Sequence, residues 1–205
     1  MAAEDWFGKL LAKELAGVGS LSHEQVTQLW EHYQRLLLWN QRLSLTSIEP
    51  GKEMVVRHYC ESLYFAAQLP GSAGSIADIG SGAGFPGIPM AIWNPNWTVT
   101  LVESNQKKGV FLREASRGLS NIRVESKRAQ DLSGEFDWIV SRAVDPSEVV
   151  ALVPRLSRKI GLMIGEDDFL TLPAGKHIAW SEPVRLPWGD HRVCAFGVSR
   201  GTSEP

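Results

Sequence analysis

The residues best placed to do chemistry lie in one short run, Asp78-Ile79-Gly80-Ser81-Gly82-Ala83-Gly84-Phe85-Pro86-Gly87. Glycines let the backbone pass close to a ligand, and the free N–H groups of a following helix face whatever binds there. Glu103 stands nineteen residues beyond Gly84, at the end of the next apolar run. A carboxylate in that place can accept hydrogen bonds from both hydroxyls of an adenosine ribose.

Two ligand classes share this pattern. Gly82-Ala83-Gly84-Phe85-Pro86-Gly87 satisfies the dinucleotide fingerprint, so an NAD(P)-dependent or flavin oxidoreductase is one reading. Asp78, two residues ahead of the first glycine, extends the run to Asp-x-Gly-x-Gly-x-Gly, the form typical of S-adenosylmethionine sites. There the acid stands near the methionine end of the donor; its plain alternative is a carboxylate capping a turn. A dinucleotide enzyme would also need more chain for its second half and a substrate domain. The expectation is therefore S-adenosylmethionine, with S-adenosylhomocysteine as product, bound by Asp78, Gly80, Gly82, Gly84 and Glu103.

The elements around this run support that reading. From residue 75, short apolar runs alternate with helical patterns: Ser75 to Ile79, Pro86 to Trp93, Thr98 to Glu103, Lys107 to Leu119, and Ile122 to Ser126. Phe136 to Val140 reads as a strand, Ser147 to Leu156 as a helix and Ile160 to Ile164 as a further strand. Alternation of this kind makes parallel βαβ units. Ile178 to Trp180 and Arg192 to Val198, around Pro187-Trp188-Gly189-Asp190, predict an antiparallel pair at the sheet edge. The fold expected is α/β, a Rossmann-like class I methyltransferase.

Residues 1–70 carry no strand pattern. Ser22 and Gln25 form a capping-box pair ahead of a helix running to about Asn40, with Val26, Leu29, Trp30, Tyr33, Leu36 and Leu37 as its apolar positions. A second helix from Lys52 to Leu69 presents Val55, Tyr59, Ser62, Leu63 and Ala66 on one side, and Pro70-Gly71-Ser72 breaks it. The organisation expected is a helical cap, 1–70, lying against a methyltransferase domain, 71–205.

Composition bounds the rest. With 205 residues and 43% hydrophobic content, one substantial domain can form a packed core. No stretch nears the roughly 18 consecutive apolar residues of a membrane span, and the acidic start around Glu4 and Asp5 is unlike a signal peptide, so the protein is expected in the cytoplasm. Cys60 and Cys194 are too few for a disulfide framework and lack zinc-ligand spacing, so buried thiols and no metal are expected. Net charge is −2, yet Lys107 to Lys159 holds eleven Lys and Arg against seven Asp and Glu. That stretch is +4 and the remainder −6, which allows a basic face for nucleic acid or an ordinary solvated one.

Several blocks together resemble a known family. Trp39-Asn40-Gln41-Arg42-Leu43-Ser44-Leu45-Thr46, Arg57-His58-Tyr59-Cys60-Glu61-Ser62-Leu63, Asp78 through Pro89, Lys107-Lys108 with Phe111-Leu112-Arg113-Glu114, Arg128-Ala129, and Phe136-Asp137 with Ser141-Arg142-Ala143 follow in family order from about 26 to 145. The chain is similar in these to the bacterial ribosomal RNA small-subunit methyltransferase G family, also called glucose-inhibited division protein B. The resemblance implies methylation of N7 of one guanosine in 16S ribosomal RNA, free or in a small-subunit particle. It also implies donor contacts from Gly80, Phe85, Glu103, Ala129, Gln130 and Arg142, with the adenine near Ala129-Gln130. Two departures stand out: Glu61 replaces the usual Asp, and Met163-Ile164-Gly165-Glu166-Asp167 replaces a strand ending in Lys-Gly.

Guanine N7 has a lone pair and no proton, so direct in-line displacement needs no general base. That agrees with a sequence without a Ser/His/Asp constellation. Arg142, at the end of a parallel strand, is the candidate catalytic residue, holding the donor or steering the target nucleotide. His58, Lys107, Lys108, Arg113 and Arg128 are the RNA-binding candidates, each with a blander reading as core histidine or solvated cation. A monomer is expected. A methyltransferase for another small or RNA substrate, or a noncatalytic RNA-binding module, are the remaining alternatives; methyl transfer to RNA discriminates both.

Overall fold

A computed structural model describes residues 3–70, 74–172, 178–189 and 191–200. Gly71 and Ser72 of the expected helix breaker, and Asp190 of the expected turn, lie outside the described residues.

Four stretches of helix precede the first strand: α1 (Ala3–Glu14), α2 (His23–Leu43), α3 (Lys52–Met54) and, after a π-helical segment Val55–Cys60, α4 (Glu61–Gln68). The capping box closes α2 from both sides, with Ser22 Oγ accepting from Gln25 N and Gln25 Oε1 accepting from Ser22 N. Helix α1 was not singled out by pattern, although Phe7, Leu11 and Leu15 recur every four residues and are all buried. Each such burial is worth about 1.5–3 kcal/mol. The single helix expected over 52–69 is interrupted by the wider π turn, yet Val55, Tyr59, Ser62, Leu63 and Ala66 are buried as its pattern requires.

The sheet follows. Strands β1 (Ser75–Ile79), β2 (Thr98–Val102), β3 (Ile122–Glu125), β4 (Trp138–Arg142) and β5 (Lys159–Gly165) are parallel, in the order β3-β2-β1-β4-β5. Helix α5 (Gly87–Trp93) crosses from β1 to β2, and α6 (Gln106–Ala115) from β2 to β3. After β3 the order reverses to the other side of β1. The crevice beyond the C-terminal ends of β1 and β4 is thus the topological switch point, where ligands of open parallel sheets bind.

Three local differences from the sequence pattern have physical causes. Phe136 and Asp137, expected in a strand, instead clasp its entrance, Phe136 N donating to Leu156 O and the Asp137 carboxylate accepting from Gly74 N and Ser75 N. The helix expected over 147–156 divides into α7 (Pro146–Val150) and α8 (Val153–Leu156), because Pro154 has no N–H to continue the first. Helix α6 stops at Ala115, before Gly118 takes a left-handed φ of 93°.

Beyond β5 lie α9 (Glu166–Thr171), β6 (Ile178–Trp180), β7 (Val184–Arg185) and β8 (Arg192–Ser199). The expected antiparallel pairing of β6 with β8 is present, Ile178 opposite Ser199. β8 itself is not at the edge, however, because it pairs antiparallel with β5 as well as with β6 and β7. One face of the sheet shares a core with α1, α2, α4, α5 and α6; α7 and α8 cover the other. Cys60 and Cys194 are buried free thiols.

Candidate active site

Strand β1 runs into a turn whose glycines occupy the left-handed region, with φ of 71° at Gly80, 55° at Gly82 and 89° at Gly84. Gly80 tolerates no side chain for a second reason. A Cβ there would lie 2.3 Å from Val144 Cγ2, so the ends of β1 and β4 touch at the switch point. Gly80 N and Ser81 N donate to Val102 O, which fastens the turn to β2 (2.9 and 3.1 Å).

Glu103, 8% exposed, completes this side: Oε2 accepts from Gly82 N at 3.0 Å and Oε1 from Asn105 N at 2.8 Å. A carboxylate oxygen has two acceptor positions, so each retains one for a ribose hydroxyl. A cleft of about 370 Å³ opens beside it, lined by Gly80, Val102, Ser104, Arg128, Ala129 and Gln130 among others. Ile79, Val144, Val149 and Leu152 give it apolar lining and Ser104, Gln130 and Glu148 polar groups, a mixture that suits an adenosine. Ala129–Asp131 forms a short 3-10 turn there, and Arg155 Nη2 donates to Ala129 O at 3.0 Å while Nη1 reaches Leu132 O. Arg155 was not apparent from sequence, since 26 residues separate it from Ala129.

Of the expected donor residues Gly80, Ala129 and Gln130 line the cleft, whereas Asp78, Gly82, Gly84, Phe85, Glu103 and Arg142 do not. Asp78 is fully buried, Oδ2 accepting from Gly87 N at 3.1 Å and Oδ1 without a partner among the described residues. Its carboxylate supports the first turn of α5. Phe85 is buried with its ring stacked on His58, centroids 4.5 Å apart and planes 13° from parallel.

His58 leads to Arg142. The Arg142 guanidinium donates from Nη1 to His58 Nδ1 at 3.3 Å, which leaves Nε2–H to donate to Thr46 Oγ1 at 2.8 Å. Arg142 Nη2 is 3.4 Å from Glu61 Oε2, and Arg192 meets the same carboxylate through both terminal nitrogens. Arg57 adds a third cation, Nε 3.6 Å from Oε1. Burial raises the Glu61 carboxyl above its ordinary range, opposed by Arg142 and Arg192. Ala143, the next residue, is left-handed at φ 61°, a conformation costing alanine about 1–2 kcal/mol.

The basic candidates divide. Lys107 and Arg113 are exposed on one stripe of α6 with Val110, whereas Lys108 is half-buried. Asn105 caps this helix, accepting from the backbone N–H of Lys107 and Lys108, so its first turn begins directly after the Glu103 corner. Arg113 Nη2 donates to Ser126 Oγ at 2.7 Å, and Arg128 is exposed at the cleft rim. Thus Arg128 lines the cleft, Lys107, Lys108 and Arg113 do not, and His58 belongs with Arg142 instead.

Two buried histidines and Asp78 predict a pH dependence. Burial holds His32 at about 4, and burial with Arg142 nearby holds His58 at about 3, while burial pushes Asp78 up to about 7. The depressed histidines contribute stability above their unfolded value of 6.5, lost as pH falls towards 4 and 3. Raised Asp78 works oppositely, its contribution full below 3.8 and lost as pH rises through 7. Between these limits unfolding takes up two protons at the histidines and releases one at Asp78. Stability should fall on acidification by about 1.4 kcal/mol per pH unit, and about twice as steeply in Asp78→Asn. Urea titrations across mildly acidic pH measure both; equal slopes would show that Asp78 is not protonated in the fold.

Strand order and glycine turn are those of the class I fold, and the class is that of an S-adenosylmethionine-dependent methyltransferase. The fold is shared with an O-methyltransferase from Bacillus cereus in complex with SAH, at 14% identity, 82% of this chain and 90% of that one, with a TM-score of 0.56. A putative O-methyltransferase from Klebsiella pneumoniae matches at 12% identity, 96% and 98% coverage, and a TM-score of 0.63. Within that class the chain belongs to the rRNA small subunit methyltransferase G family, whose profile matches residues 25–165. Ribosomal RNA small subunit methyltransferase G of Stenotrophomonas maltophilia is 38% identical over 188 residues, 86% of this chain and 87% of that protein. The Xanthomonas campestris protein of the same description is 36% identical over 179 residues, 82% and 84% of the two chains.

Proposed function

We propose that this enzyme methylates N7 of a guanosine in 16S ribosomal RNA, free or in a small-subunit particle, as a cytoplasmic monomer. The observation carrying the reading is the Glu103 carboxylate, tied to Gly82 N and Asn105 N with an acceptor position left on each oxygen, beside a cleft that its neighbours Val102 and Ser104 line, in a chain of this family. No helix among the described residues is long and apolar enough to cross a membrane. Residues 1–70 are read as a cap on a catalytic domain, 71–205, since α1, α2 and α4 bury their apolar sides with α5 and α6.

When bound, S-adenosylmethionine supplies an electrophilic methyl group, which the N7 lone pair takes in line while the sulfur keeps the C–S electron pair. Glu103 holds the ribose, Gly80 admits the chain of the donor, and Ala129 with Gln130 borders the adenine. Asp78, Gly82, Gly84 and Phe85 shape the turn from behind. Arg142, held by Glu61 and His58, orients the target nucleotide through an anionic or carbonyl oxygen. No group needs to remove a proton, so the neutral His58 is a partner for Arg142 rather than a base. Alignment of the reactants can supply roughly 7–11 kcal/mol of the barrier.

The test is labelled methyl transfer to ribosomal RNA from a strain lacking this enzyme, with the product base mapped. Label on a guanosine N7 of the small subunit is the expected result; label elsewhere, or none, overturns the reading. RNA contacts predict a second outcome. Neutralising Lys107, Lys108 and Arg113 together should weaken RNA binding and lower its logarithmic salt slope by about 2, at roughly 0.7 per single-strand phosphate contact. Affinity for S-adenosylhomocysteine should not change. Coincident slopes for wild type and variant would return this helix to a solvated face.

A further inference from the structure

A buried imidazole outside the residues assigned so far reaches the donor turn from the helical cap. His32, on α2, is 1% exposed, with Nε2 3.0 Å from Ala83 O and Nδ1 2.8 Å from the Tyr59 hydroxyl. A carbonyl only accepts, so Nε2 carries the proton and Nδ1 accepts from Tyr59. The tautomer is therefore set by its neighbours. Burial keeps the ring neutral, as this two-sided arrangement requires.

We propose that His32 is a positioning residue for the methyl-donor site: oriented by Tyr59, it holds the Ala83 carbonyl and thereby fixes the glycine turn. Ala83 lies between two left-handed glycines, Gly82 and Gly84, the part of the loop with the most backbone freedom to lose. The hydrogen bond acts where that freedom is greatest. The ring also closes the turn sterically, since a Cβ on Gly84 would come within 3.3 Å of His32 Nε2. Phe85 is gripped from both sides: His32 meets it edge-on at 5.2 Å and His58 stacks on it at 4.5 Å. Tyr59 packs against the same ring at 5.0 Å. Helix α2 and the π segment thus build the back wall of the donor loop, which makes the helical region part of the site's geometry.

The inference rests on the donor reading, so its test has one readout that needs no donor. Hydrogen exchange at Gly84, Phe85 and Ile88, whose N–H groups bond within the turn to Ser81 O and Gly84 O, reports the turn in the ligand-free protein. In His32→Phe, which keeps an aromatic edge against Phe85 but has no N–H to give Ala83 O, exchange there should quicken by about tenfold, the worth of one buried hydrogen bond. Amides of β4 and β5 should be unaffected. The dissociation constant for S-adenosylhomocysteine should rise by a similar factor, with RNA affinity unchanged. His32→Gln, whose amide can donate from near the Nε2 position, should restore both to within about threefold. If the phenylalanine variant does not fold, Tyr59→Phe is the substitute and should quicken exchange several-fold. Unchanged turn exchange in the folded variant overturns the proposal. So does a glutamine variant as impaired as the phenylalanine one, since shape and not the hydrogen bond would then be at work. A wild type that binds no S-adenosylhomocysteine overturns the donor reading instead, with the exchange data still deciding whether His32 fixes the turn.

Discussion

Glu61→Gln is expected to lose about 3 kcal/mol of stability, because it leaves Arg142 and Arg192 without the counter-charge they share. Glu61 has a side chain 1% exposed and is the shared partner of Arg57, Arg142 and Arg192. Arg142 and Arg192 are themselves only 15% and 21% exposed, so water cannot replace the carboxylate. An amide keeps the volume and one acceptor, which isolates charge from packing. Urea unfolding near neutral pH measures the loss, and a change below about 1 kcal/mol would mean the cluster is solvated like a surface ion pair. The same variant should reduce methyl transfer even where it remains folded, since Arg142 loses the group that aims it.

Glu103→Ala should weaken donor binding by about 1.5–3 kcal/mol, roughly 10- to 150-fold, as hydrogen bonds to a charged acceptor are lost. The effect has two sources. Ribose hydroxyls lose their acceptor, and Gly82 N and Asn105 N lose theirs, so the turn and the cap of α6 loosen together. Calorimetry with S-adenosylhomocysteine reads the sum. Glu103→Gln, which can still accept from Gly82 N, should recover part of it. An alanine variant that is folded and binds as wild type does would place the ribose elsewhere.

Much of the scaffold was legible because its signals are local. The glycine turn needs left-handed backbone, and glycine at 80, 82 and 84 announces it. The capping box of α2 spans four residues, Ser22 to Gln25, and both of its hydrogen bonds are present. Alternation of apolar runs and helices predicted the parallel sheet, and Glu103 was found by its spacing from the turn. Where local patterns misled, a longer-range bond or a backbone constraint intervened. Phe136 was displaced from its strand by Leu156 O, and one helix was divided by Pro154.

His32 shows why the rest was hidden. In sequence it is one polar residue on the buried stripe of α2 beside Leu29, Tyr33 and Leu36, and that contrast was its only signal. Its partner Ala83 is 51 residues away. Glu61 reads as a mild departure from family habit, yet its bond to Arg192 spans 131 residues. Composition and periodicity, which act over a few residues, determined the element types, the glycine turn and the acid that bonds to it. The fold alone decided which distant side chains share a desolvated space. There each polar group must find a partner or change its protonation, and so His58 came to hold Arg142, Asp78 went behind the turn, and the helical cap was joined to the site.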